Sequence, residues 1–326
     1  MKVKVRVRSR NLRVRRRSQR KAEQRPEARI EMPWWNQLAR LVSDPAPNHM
    51  FELSEAGIAF AAGKQTGFEA FEEGTLAVSP IEDNLLRADA AAAAIARIAP
   101  EGAGKKRRPA AVILPDYAAR VSVLDFDSFP AAPADQAALV RFRVKKTIPF
   151  DIESAAVSYY VQPHPSGKRI EVIAVTVALE VIARYEALFR STGFHPGVVT
   201  TSGLAALSLF HLNHGDGVAV LAKLSGRALT VAVISDGVVK LFRCVALEEA
   251  SEEEILAVLN PTFAYVEDEL TAPVKRLIVC GIPLEIAVRV PKKSELGCEV
   301  EPLRSRFGSP GPFNAGLLGY LEGAGS

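Results

Sequence analysis

The sequence has little that suggests a disulfide scaffold, a metal site or a membrane span. Its three cysteines, Cys244, Cys280 and Cys298, are odd in number and widely spaced among 326 residues, so they match neither CxxC metal motifs nor an even disulfide set. No apolar run is long enough to cross a bilayer, and no secretory signal pattern occurs. We therefore expect a cytoplasmic protein whose thiols are reduced.

Familiar catalytic motifs are also missing. The sequence contains no P-loop, no dinucleotide-binding fingerprint, no GxSxG elbow and no HExxH motif. Asp125 and Asp127 form only an isolated Asp-x-Asp, and His211 and His214 have no third metal ligand nearby. These residues are interpreted as parts of a strand end and of a polar linker.

Positive charge is concentrated at the amino terminus. Residues 1–31 contain 13 lysines and arginines against three glutamates, whereas the remainder has 28 basic against 34 acidic residues. The tail has too few apolar residues to pack, so we expect it to be disordered in isolation. The high isoelectric point is therefore a property of this tail.

Three interpretations of the tail stay open. It binds anionic lipid headgroups, or it binds nucleic acid through phosphates although it has no aromatic residue to stack on bases, or translation begins at Met32. We do not expect nucleic acid to define the function. Trp34-Trp35 then begins a short amphipathic segment that ends at Pro45, interpreted first as docking on the body and alternatively as an interfacial membrane anchor.

A chain of 326 residues is long enough for two packed lobes, and its hydrophobic share of 48% is enough to form their cores. The stretch from Leu139 predicts a helix, a turn at Pro149 and a strand from Ala155 to Val161. In the helix, one face carries Leu139, Val140, Phe142 and Val144 and is expected to face inward, and the opposite face carries Arg141, Arg143, Lys145 and Lys146. A strand from Ile170 to Leu179, a helix from Val181 to Thr192 and a strand from Phe194 to Val199 follow.

Elsewhere the pattern predicts paired strands at Met50 to Ala61 and Phe68 to Ala77, with a turn at Gly63 to Gly67. After the linker, strands are predicted at Val218 to Leu224, Ala228 to Ser235 and Val238 to Val245, where Asp236-Gly237 forms a hairpin turn. An acidic helix start at Glu248 to Glu254 is predicted to be interrupted by Pro261 before a second helix continues to Leu270.

This order of elements resembles the PilM family of type IV pilus assembly proteins, which have an actin-like fold similar to that of FtsA. Matching segments include residues 79–84 (SPIEDN), Leu114-Pro115-Asp116, Arg184-Tyr185-Glu186 and residues 315–320 (AGLLGY). The chain is also similar to the cytoplasmic domain of the type II secretion protein GspL.

The resemblance implies an α/β, actin-like (ribonuclease H-like) two-lobed ATPase fold, with an inserted FtsA/PilM-type subdomain and a reduced second lobe. It divides the chain into a basic tail with the amphipathic segment at 1–45, a first lobe at 46–212 and a second lobe at 213–326. The inserted subdomain is expected at about 134–180.

In this fold, ATP phosphates are held between two hairpins that carry Asp-x-Gly, in which the acid positions magnesium and the glycine admits backbone amides to the phosphate. Here Glu52 stands in place of the first acid and Ser54 in place of the glycine, while Glu55 adds a charge that would repel phosphate. In the second hairpin Lys223 replaces the acid and is followed by Ser225 and Gly226.

A lysine offers only donors and repels a cation, so Lys223 is expected either to contact a phosphate or to pair with Glu52 and replace metal and nucleotide. The third loop, beside the adenine in the family, keeps one glycine at Cys280-Gly281 and is followed by the rigid Pro283. We therefore expect degenerate nucleotide loops, no required cofactor and no ATP turnover.

The function implied is a non-enzymatic scaffold of type IV pilus assembly or type II secretion, on the inner face of the inner membrane. Its expected partners are the cytoplasmic tail of a PilN-like membrane protein and other motor components, with Arg141, Arg143, Lys145 and Lys146 facing a partner or lipid headgroups. Homo-oligomer formation stays open. The alternative is an active actin-like ATPase in which Glu52 serves as the acid and Lys223 contacts a phosphate.

Overall fold

The computed structural model describes residues 47–63, 65–100, 107–162, 169–213, 216–290 and 298–324. The basic tail, the Trp34-Trp35 segment and His214 lie outside the described residues. Within the described ranges the chain forms three sheets and seven α-helices. The strands are β1 (His49–Ser54), β2 (Gly57–Ala62), β3 (Gln65–Ala70), β4 (Arg108–Leu114), β5 (Arg120–Phe126), β6 (Ala155–Val161), β7 (Ile170–Ala178), β8 (Phe194–Thr201), β9 (Val218–Ser225), β10 (Ala228–Ser235), β11 (Val238–Ala246), β12 (Val274–Cys280) and β13 (Glu299–Pro302). The helices are α1 (Ala88–Ile98), α2 (Pro133–Val144), α3 (Leu179–Ser191), α4 (Ser202–Ala206), α5 (Glu252–Leu270), α6 (Leu284–Ala287) and α7 (Ala315–Ala324).

The first sheet has the strand order β3-β2-β1-β4-β8, in which β1, β4 and β8 are parallel and β2 and β3 return as antiparallel neighbours. The expected strand from Met50 to Ala61 is wrong, because a tight turn after Ser54 divides it into β1 and β2. The Ser54 hydroxyl donates to the Gly57 carbonyl at 3.0 Å and closes this turn. One face of the sheet packs against α1 and α3 through a large apolar cluster that includes Phe51, Tyr185 and Phe189.

The second sheet contains the antiparallel strands β5-β7-β6. Helix α2 covers it through the buried Val140 and Val144. The strands β6 and β7 match the prediction within one residue. Strand β5, which precedes the subdomain expected at about 134–180, pairs along its whole length with β7.

The third sheet has the order β11-β10-β9-β12-β13, with the antiparallel strands β9, β10 and β11 joined by tight turns. The predicted strands of this sheet are confirmed. Helix α5 packs on its outer face and continues through Pro261, so the predicted interruption is wrong. Ser251 caps this helix by accepting the N–H of Glu254, and the Thr262 hydroxyl donates to the Val258 carbonyl at 2.9 Å beside the proline.

The last helix returns to the first sheet. Leu317 of α7 packs with Met50, Ala59 and Ile113, on the face opposite the α1 and α3 layer. Leu318 packs with the third sheet at Ala219 and Leu221, among other residues. Residues 315–324 therefore contact both five-stranded sheets. No helix of the described residues is long and apolar enough to cross a membrane.

Candidate functional site

The first of the expected nucleotide residues, Glu52, is buried in β1 beside α7. Only 2% of its surface is exposed. The Ser202 hydroxyl donates to its Oε1, and the backbone N–H of Leu317 donates to its Oε2 at 2.6 Å. Because Leu317 belongs to the first turn of α7, the carboxylate also lies near the positive end of that helix. Both carboxylate oxygens are thus used to hold elements of the protein together.

The second expected residue, Lys223 of β9, is 1% exposed. Its Nζ donates to Asp116 Oδ2 at 3.2 Å, forming a buried salt bridge. The predicted direct pair between Lys223 and Glu52 is therefore wrong in its partner, because Asp116 provides the contacting carboxylate. Glu52 still influences Lys223 electrostatically, since the two charges are coupled within the same buried cluster.

Asp116 connects the two lobes and was not predicted as a site residue. It follows β4 and accepts the N–H of Gly203 at 2.5 Å with Oδ1, while Oδ2 accepts the Thr230 hydroxyl at 2.8 Å. A Cβ on Gly203 would lie 3.0 Å from both carboxylate oxygens, so the absence of a side chain permits this approach. The structure pairs Leu114 with Thr201 at the ends of adjacent parallel strands, so the residues that follow each of them meet.

Burial and neighbouring charges shift the pKa of Glu52 and of Lys223 in this cluster. Burial raises the pKa of the Glu52 carboxyl, and the opposing effects of Lys223, Ser202 and the Leu317 amide do not reverse the shift. Burial lowers the pKa of the Lys223 ammonium, but the nearby Asp116 and Glu52 outweigh it and the net direction is upward. The lysine is thus held in its charged form.

Replacing Glu52 with Gln is expected to favour the folded state increasingly as the pH rises. Because the folded protein raises the pKa of Glu52 above its ordinary 4.5, it binds this proton more tightly than the unfolded chain does. The resulting stabilisation is complete below the unfolded-state pKa and is lost as the pH rises through the folded-state pKa. Glu52→Gln lacks this titration, so urea unfolding of both proteins between about pH 4 and 8 should show the difference. A difference in unfolding free energy that is constant over this range would contradict the interpretation.

The remaining residues of the expected nucleotide loops also make contacts within the protein. A Cβ on Gly226 would lie 3.5 Å from Oε2 of Glu55, so the tips of the two hairpins approach each other. Gly281 has a φ of +73°, and a Cβ there would lie 2.2 Å from the Leu224 carbonyl oxygen. The Cys280 thiol donates to the Gly311 carbonyl at 3.3 Å. Ser225 ends β9 at the second hairpin turn.

This donor set does not suit a magnesium ion. Magnesium requires oxygen ligands in octahedral geometry, whereas the residue at the second hairpin is a buried ammonium group. The oxygens of Glu52 and Asp116 already accept hydrogen bonds from the protein. Among the described residues no cluster of three histidine, cysteine or acidic side chains forms a potential metal site.

Sequence comparison finds no matching family model and no matching curated protein. Solved structures do match. A PilM–PilN type IV pilus biogenesis complex superposes with a TM-score of 0.69 at 14% identity, covering 86% of this chain and 99% of that chain. The chain has a PilM-like actin fold. The cytoplasmic domain of EpsL, an inner-membrane component of the type II secretion system of Vibrio cholerae, matches with a TM-score of 0.43 at 15% identity over 71% of this chain and 80% of its own.

Within the PilM-like fold, the basic helix of the inserted subdomain differs from its prediction. Val140 and Val144 face the core, but Phe142 lies about 200° around the helix from each of them and is 67% exposed. The guanidinium of Arg141 donates to the Ile152 carbonyl at 2.6 Å, and that of Arg143 to the Asp125 carbonyl at 3.0 Å. These two arginines therefore stabilise the subdomain.

The predicted outward face is confirmed for Arg143, Lys145 and Lys146, which are exposed, whereas Arg141 is partly buried. Lys145 and Lys146 lie at the end of α2. They follow the last helical residue, Val144, whereas Arg141 and Arg143 donate to backbone carbonyls of the subdomain.

Proposed function

We propose that the chain is a non-enzymatic scaffold of a type IV pilus assembly or type II secretion system, placed at the cytoplasmic face of the inner membrane. The observation that carries the proposal is the buried Lys223–Asp116 pair, at the position where the PilM-like fold is expected to hold nucleotide phosphates and magnesium. The pair joins the end of β4 to β9. Two side chains of the protein thus connect the lobes at the place where a nucleotide would otherwise do so.

A nucleotide at this position would have to displace that connection. The side chains of Lys223 and Asp116 are 1% and 3% exposed. Opening the pair would leave a buried charge without its partner, which costs several kcal/mol in typical proteins. In addition, Glu55 stands at the tip of the first hairpin near Gly226, where its negative charge opposes a phosphate. Both features favour a protein that does not use ATP.

Magnesium-ATP is expected to leave the thermal unfolding midpoint unchanged. A ligand at about 100 times its dissociation constant would stabilise the folded state by about 2.7 kcal/mol, so real binding is measurable. Unfolding is followed with and without millimolar magnesium-ATP, with magnesium alone as the control. A clear magnesium-dependent stabilisation that is lost in Glu52→Ala would support the active ATPase instead.

The proposed partner is the cytoplasmic tail of a PilN-like membrane protein. Support comes from the solved PilM–PilN complex with this fold and from an exposed apolar surface around α3. Ile81 and Leu86 are 58% and 59% exposed on the loop before α1, and Leu179 is 48% exposed where β7 leads into α3. Asp83 and Asn84 fix this loop on α3 through Arg184 and Tyr185. The surface therefore lies where the inserted subdomain joins the first lobe.

We expect a labelled peptide with the sequence of the PilN-like tail from the same organism to bind the wild-type chain. The dissociation constant should rise at least about tenfold in the double variant Ile81→Ala/Leu179→Ala. This corresponds to the loss of about 1.4 kcal/mol of binding free energy, within the range for truncating two apolar contacts. Leu284→Ala is the matched control, because Leu284 is 47% exposed on α6 of the second lobe. Equal loss in the control, or no binding by the wild type, would contradict the docking site.

A further inference from the structure

An open pocket lies beside α7, next to Leu317, whose backbone amide donates to Glu52 of the charged cluster. Its volume is about 420 Å³. Strands β2 and β3 form one side, and the segment that precedes α7 forms the other. The residues that matter for its character are Ala59, Phe68, Phe307, Pro312, Phe313 and Leu317.

The pocket exists because α7 covers only part of the first sheet. Leu317 packs on β1 and β4 at Met50 and Ile113, while Ala59 belongs to the same apolar cluster from β2. Phe68 is paired with Ala59 across the β2–β3 ladder, and its ring stacks on Phe313 at a centroid distance of 6.1 Å. Small side chains thus form the floor, and aromatic rings form the wall.

The rim of this pocket is exposed apolar surface. Phe68 and Phe307 are each 46% exposed, although both are large aromatic residues. None of the described residues that line the pocket carries a charged side chain. Such a pocket fits a bulky apolar or aromatic side chain rather than an ionic ligand.

We propose that this pocket is the docking site of the chain's own Trp34-Trp35 segment. The described chain begins at Pro47, immediately before β1, so 11 residues connect Trp35 to it. Eleven residues span at most roughly 36 to 40 Å. Ala59 at the pocket floor is paired with Glu52 of β1. Glu52 is three residues from His49, which is a distance of roughly 10 Å along the strand. The tether therefore reaches the pocket with length to spare.

The two tryptophans match the pocket in chemistry as well as reach. Each indole buries roughly 150 to 250 Å² when it is enclosed, and the ring can stack on the phenylalanine wall. The covalent tether gives the segment a high effective concentration at the pocket, on the order of millimolar for a short linker. Intramolecular docking is therefore favoured over capture of a second molecule.

Intrinsic fluorescence tests the proposal in the full chain, because Trp34 and Trp35 are its only tryptophans. The folded protein is expected to emit at shorter wavelength than the chain in denaturant, and to be protected from acrylamide quenching. Phe68→Ala/Phe307→Ala should move the emission to longer wavelength and raise the quenching constant about twofold or more. Phe142→Ala is the control, since it removes an exposed phenylalanine from α2 and should change neither quantity.

Phe307→Ala alone provides a milder variant if the double substitution affects folding, which far-ultraviolet circular dichroism reports. Emission of the wild type that equals that of the denatured chain would overturn the proposal. Tryptophans that are buried in the wild type and remain equally buried in the pocket variants would also overturn the proposal. Emission that shifts with protein concentration would assign the contact to a second copy of the chain and would likewise overturn intramolecular docking.

Discussion

Lys223→Met is expected to lower the free energy of unfolding by about 4 kcal/mol, because it leaves buried carboxylates without their cation. Lys223 Nζ lies 3.2 Å from Asp116 Oδ2, and both side chains are almost completely buried. Methionine fills a similar volume but provides neither the charge nor the hydrogen bond. Urea unfolding at neutral pH, analysed by linear extrapolation, measures the loss.

Two control variants separate this effect from a general loss of packing. Lys223→Met/Asp116→Asn removes the uncompensated charge and should recover a substantial part of the stability. Arg97→Met breaks the surface pair with Glu69, where the side chains are 59% and 30% exposed, and should cost at most about 1 kcal/mol. If Lys223→Met cost no more than Arg97→Met, the buried pair would not connect the lobes in the way inferred here.

Gly319→Ala is expected to destabilise the protein by roughly 3 kcal/mol, the opposite of the usual effect of alanine in a helix. A Cβ at this position of α7 would lie 2.1 Å from the backbone carbonyl oxygen of Ala205 and 2.8 Å from Cα of Ala206. Backbone atoms of α4 cannot move aside as a flexible side chain does. The helices would have to separate, which also disturbs the Leu317 amide bound to Glu52.

Gly323→Ala provides the comparison within the same helix. Its Cβ would lie 3.3 Å from the Ser208 hydroxyl oxygen, which belongs to a side chain that can rotate. Helix propensity then favours alanine by up to about 1 kcal/mol. Thermal or urea unfolding of the two variants side by side should give changes of opposite sign, or at least a difference of about 3 kcal/mol. Equal effects would show that α7 is not packed closely against α4.

The strands of the body were predictable because their apolar periodicity is local. Strand β6 at Ala155–Val161 agrees with the prediction at both ends, and Asp236-Gly237 marks the turn between β10 and β11. The order of elements was also sufficient to predict the actin-like fold, which the structural match confirms. Periodicity failed where two elements meet without a strong breaker, as in the β1–β2 turn after Ser54, and where a proline is accommodated, as at Pro261 within α5.

Side-chain direction was less predictable. The sequence treats Leu139, Val140, Phe142 and Val144 as one apolar face, but residues two positions apart lie on nearly opposite sides of a helix. Phe142 consequently points away from the core that contains Val140 and Val144. Arg141 and Arg143 bind backbone carbonyls that neighbouring elements bring to them, so their roles depend on contacts 11 and 18 residues away in sequence.

The sequence by itself determined that position 52 carries an acceptor and position 223 a donor, because residue identity fixes which groups donate and which accept. That these residues take the place of groups that hold magnesium and phosphate is a prediction from the family resemblance. Only the tertiary structure decided their partners. Asp116 contacts Lys223, which is 107 residues away in the sequence, and the Leu317 amide contacts Glu52, which is 265 residues away. Such contacts depend on how parallel strand ends and the returning helix α7 pack between the two lobes, and neither composition nor local periodicity encodes that geometry.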